Sequence, residues 1–173
     1  RDEADLKNYI ARLKEFKRFF AQVVNTLMRS ETQGVVPPQF VFEKTIADSE
    51  NIVTGYPLSP ARIDSPLWSD FKKKLASLKL SKKKQKQYKQ QAEKALKESV
   101  GPAYKDLVSF LKKQKTRTTT DDGVWKFPQG EEFYKHQLKT MTTTDLSADE
   151  IHQLGLNNVK RIHDEMIKIK NKV

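Results

Sequence analysis

Apolar residues recur at intervals of three and four along the start of the chain, which is the spacing of one face of an α-helix. Between residues 2 and 32 this stripe consists of Leu6, Ile10, Leu13, Phe16, Phe20, Val23 and Leu27. Gly34 is a typical helix stop. Pro37-Pro38 then suits the first turn of a second helix that reaches about Val53. The pattern predicts a helical hairpin over residues 1–54.

The middle segment, residues 65–117, follows a Gly- and Pro-rich loop and predicts two further helices. A short stripe begins after Pro66, and a longer one begins after Ser81. Gly101-Pro102 lies inside the longer stripe, and Pro in a helix interior costs about 3 kcal/mol. We therefore expect a kink or a break at Gly101-Pro102.

The last segment, residues 118–173, combines an irregular stretch with two helices. A helix is predicted from about Glu131 to Met141, and Ser147 and Glu150 have the spacing of a capping box for the final helix. The stripe of that final helix is formed by Ile151, Val159, Ile162, Met166, Ile169 and Val173. This stripe continues to Val173, and no Gly or Pro marks an end of the helix after it. We predict an all-α fold of about six helices with essentially no sheet, in a single helical region that forms the N-terminal part of a longer protein.

The positive charge of the chain is concentrated in one stretch. Residues 70–117 contain 16 of the 33 Lys and Arg residues but only 4 of the 22 Asp and Glu residues. The densest part is a basic face formed by Lys72, Lys73, Lys74, Lys82, Lys83 and Lys84. Such a face is either solvated or a contact surface for nucleic acid or another polyanion. Arg117 is the only Arg in the stretch, whereas nucleic-acid binders add Arg for bidentate contacts, so nucleic acid is the less favoured partner.

Catalytic and metal-binding signals are missing from the sequence. The chain has no cysteine, and none of His136, His152 and His163 begins an H-E-x-x-H motif. His152 and His163 are three helical turns apart, about 16 Å at 1.5 Å per residue, which is too far to bind one zinc ion. We therefore expect no catalytic residue, metal site or cofactor in this chain, and no transmembrane segment.

One segment is more distinctive than the composition. The sequence reads G-V-W-K-F-P-Q-G-E-E-F-Y over residues 123–134, T-T-T-D-L-S over residues 142–147 and E-I-H-Q-L-G-L over residues 150–156. It resembles the bacterial family called domain of unknown function 885, whose pattern is G-x-W-x-x-P-x-G-x-x-Y-Y, T-T-T-D-L-T and E-I-H-x-L-G-L. Phe133 and Ser147 depart mildly from that pattern. Residues 34–38 and 100–104 are similar to the family as well.

The resemblance implies a protein much longer than this chain. Members of the family are mostly helical, often exported or lipid-anchored, and carry a downstream H-E-x-x-P-G-H segment that is read as a zinc-peptidase-like centre. Zinc and peptide substrate are thus implied for the full-length parent, and a periplasmic, lipid-anchored or secreted location with them. The remainder of the same polypeptide is the expected partner of this chain.

Two interpretations of the motif remain open. In the first, the motif forms the packed joint between two helices, with threonines capping helix ends. In the second, it forms one wall of the substrate cleft of the whole enzyme, with large aromatic anchors on an irregular segment. The residues concerned are Trp125, Pro128, Gly130, Tyr134, Thr142, Thr143, Thr144 and His152.

Overall fold

The computed structural model describes residues 2–172, and 75% of these residues are helical. The helices are α1 (Glu3–Thr32), α2 (Gln39–Ile52), α3 (Pro66–Ala76), α4 (Lys82–Ala95), α5 (Gly101–Lys115), α6 (Gly130–Thr142) and α7 (Ala148–Lys170). A π-helical segment, Leu96–Val100, joins α4 to α5 without a break, so the described residues contain six separate helices. They contain no strand, and one isolated bridge links Tyr56 and Asp64. The predicted all-α fold is confirmed.

The chain divides into two compact units, Arg1–Asp122 (unit 1) and Gly123–Val173 (unit 2). Unit 1 contains α1 to α5, and unit 2 contains α6 and α7. The division falls inside the last of the three segments that the sequence pattern predicts, residues 118–173.

Helix α1 begins and ends with signals that are local in sequence. The Asp2 carboxylate accepts hydrogen bonds from the N–H groups of Ala4 and Asp5, at 2.8 and 3.0 Å, and Asp5 completes a capping box. At the other end Gly34 adopts a φ of 76°, and Val35 N–H donates to the Ser30 carbonyl at 2.9 Å. This is a Schellman motif, which requires a residue that tolerates positive φ. The predicted stop at Gly34 is confirmed.

Unit 1 has a real hydrophobic core. Its larger cluster lies between α1, α3, α4 and the π-helical segment, where Phe71 is completely buried and stacks on Trp68 with ring centroids 5.7 Å apart. A smaller cluster joins α2 and α5 through Phe42, Ile46, Val108 and Leu111. The N-terminal stripe of α1 is thus the buried face that its spacing predicts.

The interruption expected at Gly101-Pro102 takes the form of a change in hydrogen-bond register. Gly101 N–H donates to the Leu96 carbonyl, five residues earlier, so the helix widens before Pro102 and stays continuous. Pro102 follows within the first turn of α5, where its missing N–H does least harm. The π-helical segment also meets α1, because the Ser99 hydroxyl donates to the Lys14 carbonyl at 2.8 Å.

Candidate functional site

The motif residues 123–156 lie in unit 2 and begin with a single 3₁₀ turn. The turn spans Val124–Lys126, and the Phe127 N–H donates to the Val124 carbonyl at 3.1 Å. The Trp125 ring folds back over Gly123, where a Cβ atom would come within 1.8 Å of it. Even so, the Trp125 side chain is 77% exposed. The turn therefore holds an aromatic ring in a defined place and leaves most of its surface in solvent.

Pro128 and Gly130 tie this turn to the start of α6. The Gly130 N–H donates to the Phe127 carbonyl at 3.0 Å, which closes a β-turn with Pro128 at its second position, where Pro is favoured. A Cβ atom on Gly130 would lie 1.9 Å from the Val124 carbonyl oxygen. Gly130 is also the only residue of the described part of unit 2 that is buried. The hydrogen bonds and close contacts of this turn thus explain why Trp125, Pro128 and Gly130 occur at these positions of the motif.

The three threonines close the C-terminal end of α6. Thr143 adopts a left-handed φ of 55°, and its N–H donates to the Lys139 carbonyl at 2.9 Å. The Thr142 hydroxyl donates to the Leu138 carbonyl at 2.8 Å, and the Thr143 hydroxyl donates to the Thr142 carbonyl at 2.7 Å. The Thr144 N–H donates to the Thr142 hydroxyl at 3.3 Å. All three threonines therefore have helix-capping contacts, which favours the interpretation as a helix joint for this part of the motif.

The residues that follow the threonines complete the joint. The Lys139 ammonium lies 2.6 Å from the Asp145 carboxylate and lowers the pKa of that carboxyl. The Ser147 hydroxyl accepts from the Glu150 N–H at 3.2 Å, while the Glu150 carboxylate accepts from the Ser147 N–H at 2.8 Å. The Ser147 N–H and the Ser147 hydroxyl both donate to the Glu150 carboxylate at 2.8 Å, and these two hydrogen bonds lower the pKa of Glu150. The predicted capping box is confirmed.

The other motif residues are exposed. Tyr134 on α6 is 48% exposed, and His152 on α7 is exposed and makes no side-chain hydrogen bond with the described residues. No hydrogen bond within residues 123–172 joins the turn that holds Trp125 to the threonine joint. The motif therefore has two structural parts, the turn and the joint, with Tyr134 and His152 facing solvent.

Helix α7 carries a long apolar face that is not covered. Over its 23 residues none is buried, although the stripe predicted from the sequence is present. Val159 is 52% exposed, Ile162 46%, Met166 61% and Ile169 64%. Val173, the last member of the predicted stripe, lies outside the described residues.

Unit 2 exposes further apolar residues that do not belong to the predicted stripe of α7. They include Phe133, Met141, Leu146, Leu154, Leu156 and Ile167. Leu154 and Leu156 belong to the E-I-H-Q-L-G-L sequence of the motif, so both could have been identified from the sequence. We define the open face of α7 as the partly buried Ile151 together with the exposed Leu154, Val159, Ile162, Met166 and Ile169.

The basic face is partly neutralised by acidic residues of unit 1. Lys72 pairs with Asp64, Lys74 pairs with Asp70, and Lys84 lies 2.9 Å from the Glu3 carboxylate. The Tyr88 hydroxyl and then the Lys84 ammonium lower the pKa of Glu3.

The other three lysines of the face, Lys73, Lys82 and Lys83, make no ion pair with any described residue. Half of the face therefore pairs with acidic residues of unit 1. That leaves less charge for a polyanion than the sequence alone suggested.

The described residues do not offer a zinc site. Within residues 2–172 no three side chains of His, Cys, Asp or Glu are placed to hold one metal ion. Within the same range no helix has the length and hydropathy that crossing a bilayer requires.

The fold and the motif thus define a class: an all-helical region with a packed first unit and a second unit whose capped helices expose an apolar face. Over residues 1–173 the chain matches the family described as "Bacterial protein of unknown function (DUF885)", and it belongs to that family. The resemblance inferred from the motif is confirmed.

A solved structure has the same fold. It is the crystal structure of "the putative lipoprotein from Colwellia psychrerythraea", with a TM-score of 0.83 and 23% sequence identity. The similarity covers 95% of this chain and 27% of that chain, so this chain spans about a quarter of the length of that protein. No curated protein matches the chain.

Proposed function

We propose that this chain is the non-catalytic N-terminal helical part of a longer, zinc-metallopeptidase-like protein. Its role is to form the scaffold on which the remainder of the polypeptide packs, and the exposed aromatic residues of the motif, Trp125 and Tyr134, contribute to one wall of the substrate cleft. The observation that carries the proposal is the open face of α7, which has no buried residue in spite of its apolar stripe.

The size of the open face supports docking onto more protein. Complete burial of one large aliphatic side chain is worth about 1.5–3 kcal/mol. Four half-exposed residues, Val159, Ile162, Met166 and Ile169, therefore represent a sum comparable with the net stability of a domain, about 5–15 kcal/mol. The similar fold makes up 27% of a longer chain, which supports a partner for the open face within the same polypeptide.

The cleft wall is assigned to the turn rather than to the threonine joint. Trp125 is held in place by its contact with Gly123 and exposes 77% of its surface, and Tyr134 is exposed on the helix that follows. Rigid aromatic side chains with a polar edge are suited to contact an extended peptide.

Zinc in the longer protein would be held by residues outside this chain. There it would supply an acidified water for peptide hydrolysis. An exported or lipid-anchored location is part of the same proposal, supported by the family and by the name of the similar structure.

The docking part of the proposal is tested with paired aspartate substitutions. In the intact longer polypeptide, Val159→Asp together with Ile162→Asp should lower the melting temperature strongly, because two charges would be buried in an apolar contact. In the 173-residue chain the same pair should change little. Asn157→Asp, on the opposite side of α7, is the matched control. An intact protein that tolerates the double substitution as well as the control does would contradict the docking.

The assignment of the chemistry is tested by metal analysis and peptide cleavage. The intact polypeptide should contain zinc and hydrolyse peptides, and the 173-residue chain should do neither. Stoichiometric zinc and peptidase activity in the short chain would show that the proposal misplaces the catalytic centre.

The cleft wall is tested by kinetics on the intact protein. Trp125→Ala and Tyr134→Ala should raise KM for a peptide substrate and leave the zinc content unchanged. Phe19→Ala removes an aromatic side chain from α1 that is 57% exposed, a fraction between those of Tyr134 and Trp125, and is the control. Equal kinetics for all three variants would exclude the cleft wall.

A further inference from the structure

Gly155 is the one glycine for which the described structure gives no local reason. Of the six glycines in the chain, two have positive φ, and at three others an added Cβ atom would come within 3.2 Å of a neighbouring atom. Gly155 has ordinary helical geometry in the interior of α7, and a Cβ atom there would meet nothing within 4 Å. Glycine is unfavourable in a helix interior relative to alanine. A reason for Gly155 has to lie outside the contacts within this chain.

The position of Gly155 on α7 indicates what that reason is. Ile151 and Val159 lie one turn before and one turn after it, and Ile162 lies two turns after it. Gly155 is thus at the centre of the open face, where it leaves a notch between large side chains. Small residues at such positions let the backbones of two helices approach closely, and a large apolar side chain of the partner fills the notch.

We propose that Gly155 is the point at which a helix from the remainder of the longer polypeptide crosses α7. The inference rests on the docking described under the proposed function and adds to it the place and the kind of contact. The occupant is a helix of the same polypeptide, because the similar fold is found in a chain of which it makes up 27%. The partner helix presents a large apolar side chain to the notch, since the rim formed by Ile151, Val159 and Ile162 is aliphatic.

Gly155→Ala tests whether Gly155 makes this contact, because the contact and its absence predict different changes in the melting temperature of the intact polypeptide. In the 173-residue chain the substitution should leave the melting temperature unchanged or raise it, because alanine favours the helix and the added methyl group meets no neighbour. In the intact polypeptide the same substitution should lower the melting temperature, because the methyl group occupies the notch. Gly155→Leu should lower it further in the intact protein and remain neutral in the short chain.

Asn157→Leu is the matched control, because residue 157 lies two positions along and therefore on the opposite side of α7. It should leave both proteins unchanged. If Gly155→Leu is as harmless as Asn157→Leu in an intact protein that is destabilised by Val159→Asp and Ile162→Asp, then α7 docks but Gly155 is not the crossing point. If the double aspartate variant is harmless as well, the proposed docking itself fails.

Sedimentation of the 173-residue chain tests the alternative that a second copy of the chain occupies the notch. The short chain should sediment in the same way with and without Gly155→Leu. A dimer that Gly155→Leu converts to monomer would assign the notch to a second copy and overturn the inference.

Discussion

Helices α1 and α7 have the same kind of apolar stripe but very different surroundings. In α1 the residues Leu6, Ile10 and Leu13 are each only 3% exposed, because α3, α4 and the π-helical segment cover them. In α7 no residue is buried within the described range. A stripe at helical spacing therefore specifies that a helix needs a partner surface, and it does not specify whether that surface lies in the same stretch of chain.

The polar contacts of the two units differ in the same way. Unit 1 contains local ion pairs, but it also contains ion pairs between residues far apart in sequence, such as Glu31 with Arg117 and Glu50 with Lys112. In the described part of unit 2 the ion pairs join residues at most six apart, such as Glu131 with Lys135. Local pairs of this kind stabilise a helix only by a few tenths of a kcal/mol. Unit 1 is held by tertiary contacts, whereas unit 2 depends on its caps and on local pairs.

The largest expected effect comes from the core of unit 1. Phe71→Ala removes a completely buried ring that stacks on Trp68 and lies 5.8 Å from the Tyr9 ring. A buried Phe→Ala change costs about 3–5 kcal/mol, most of the stability of an ordinary domain. Unfolding in denaturant, followed by circular dichroism, should show that unit 1 of the variant unfolds at a lower denaturant concentration than unit 1 of the wild-type chain. A loss below 1 kcal/mol would mean that unit 1 is as loosely packed as unit 2.

A smaller but local effect is expected at the turn of unit 2. Gly130→Ala places a methyl group 1.9 Å from the Val124 carbonyl oxygen, so the backbone has to shift at a cost of about 1–3 kcal/mol. Hydrogen exchange should accelerate in the first turns of α6 and stay unchanged in unit 1. Gly155→Ala in the same chain is the control, because its methyl group meets open space. Unchanged exchange at α6 would show that the turn does not anchor the helix.

A still smaller effect is expected on the open face. Ile162→Ala in the 173-residue chain should change the free energy of unfolding by no more than about 0.5 kcal/mol, because the side chain is already 46% exposed. Calorimetry on the variant and on Phe71→Ala compares the two units directly. A cost above 2 kcal/mol would mean that the open face is covered within the short chain, and the contrast between the units would disappear.

The smallest effect concerns acid stability, and in unit 1 it depends on a contact between residues far apart in sequence. The Arg117 guanidinium, at 2.5 and 2.9 Å, and the Gln114 amide, at 3.2 Å, lower the pKa of Glu31. Because the folded pKa lies below the unfolded value of about 4.3, the contact stabilises the folded state above that pH and is lost as the pH falls through the folded pKa.

Glu31→Gln should therefore lower stability at pH 7 slightly and make the acid decline below about pH 4.5 shallower. Melting curves between pH 7 and 3 measure this, with Glu15→Gln as an exposed control whose partner Arg18 is only three residues away. An identical pH profile for Glu31→Gln and the wild-type chain would show that the contact with Arg117 does not connect α1 to α5.

Much of the fold could be predicted from the sequence because its signals are local. Gly34 ends α1, and Ser147 with Glu150 begins α7, because caps involve atoms only a few residues apart. At Gly101-Pro102 the sequence predicted an irregularity but not its π-helical form. The π-helical segment contacts the backbone of α1, 85 residues away, through Ser99, and a local sequence pattern does not contain such a contact.

The candidate site was less predictable. The motif marked the residues of the turn, but the steric reason for Gly123 and Gly130 lies in the Trp125 ring and the Val124 carbonyl, which fold onto them. Whether Lys72, Lys74 and Lys84 form a free basic surface or pair with acids also depends on tertiary placement. A spacing pattern contains no information on that placement.

The sequence by itself determined the helices, their caps, the family and the apolar stripes, because each of these depends on neighbours within about eight residues or on motif spacing. Only the tertiary structure decided which stripes are buried: α1 packs against helices 60 to 90 residues later in the sequence, whereas none of the described residues of α7 is buried. The physical reason is that burial depends on which surfaces meet in space. The apolar stripe of a helix indicates that the helix needs a partner surface, but it does not indicate which part of the protein forms that surface.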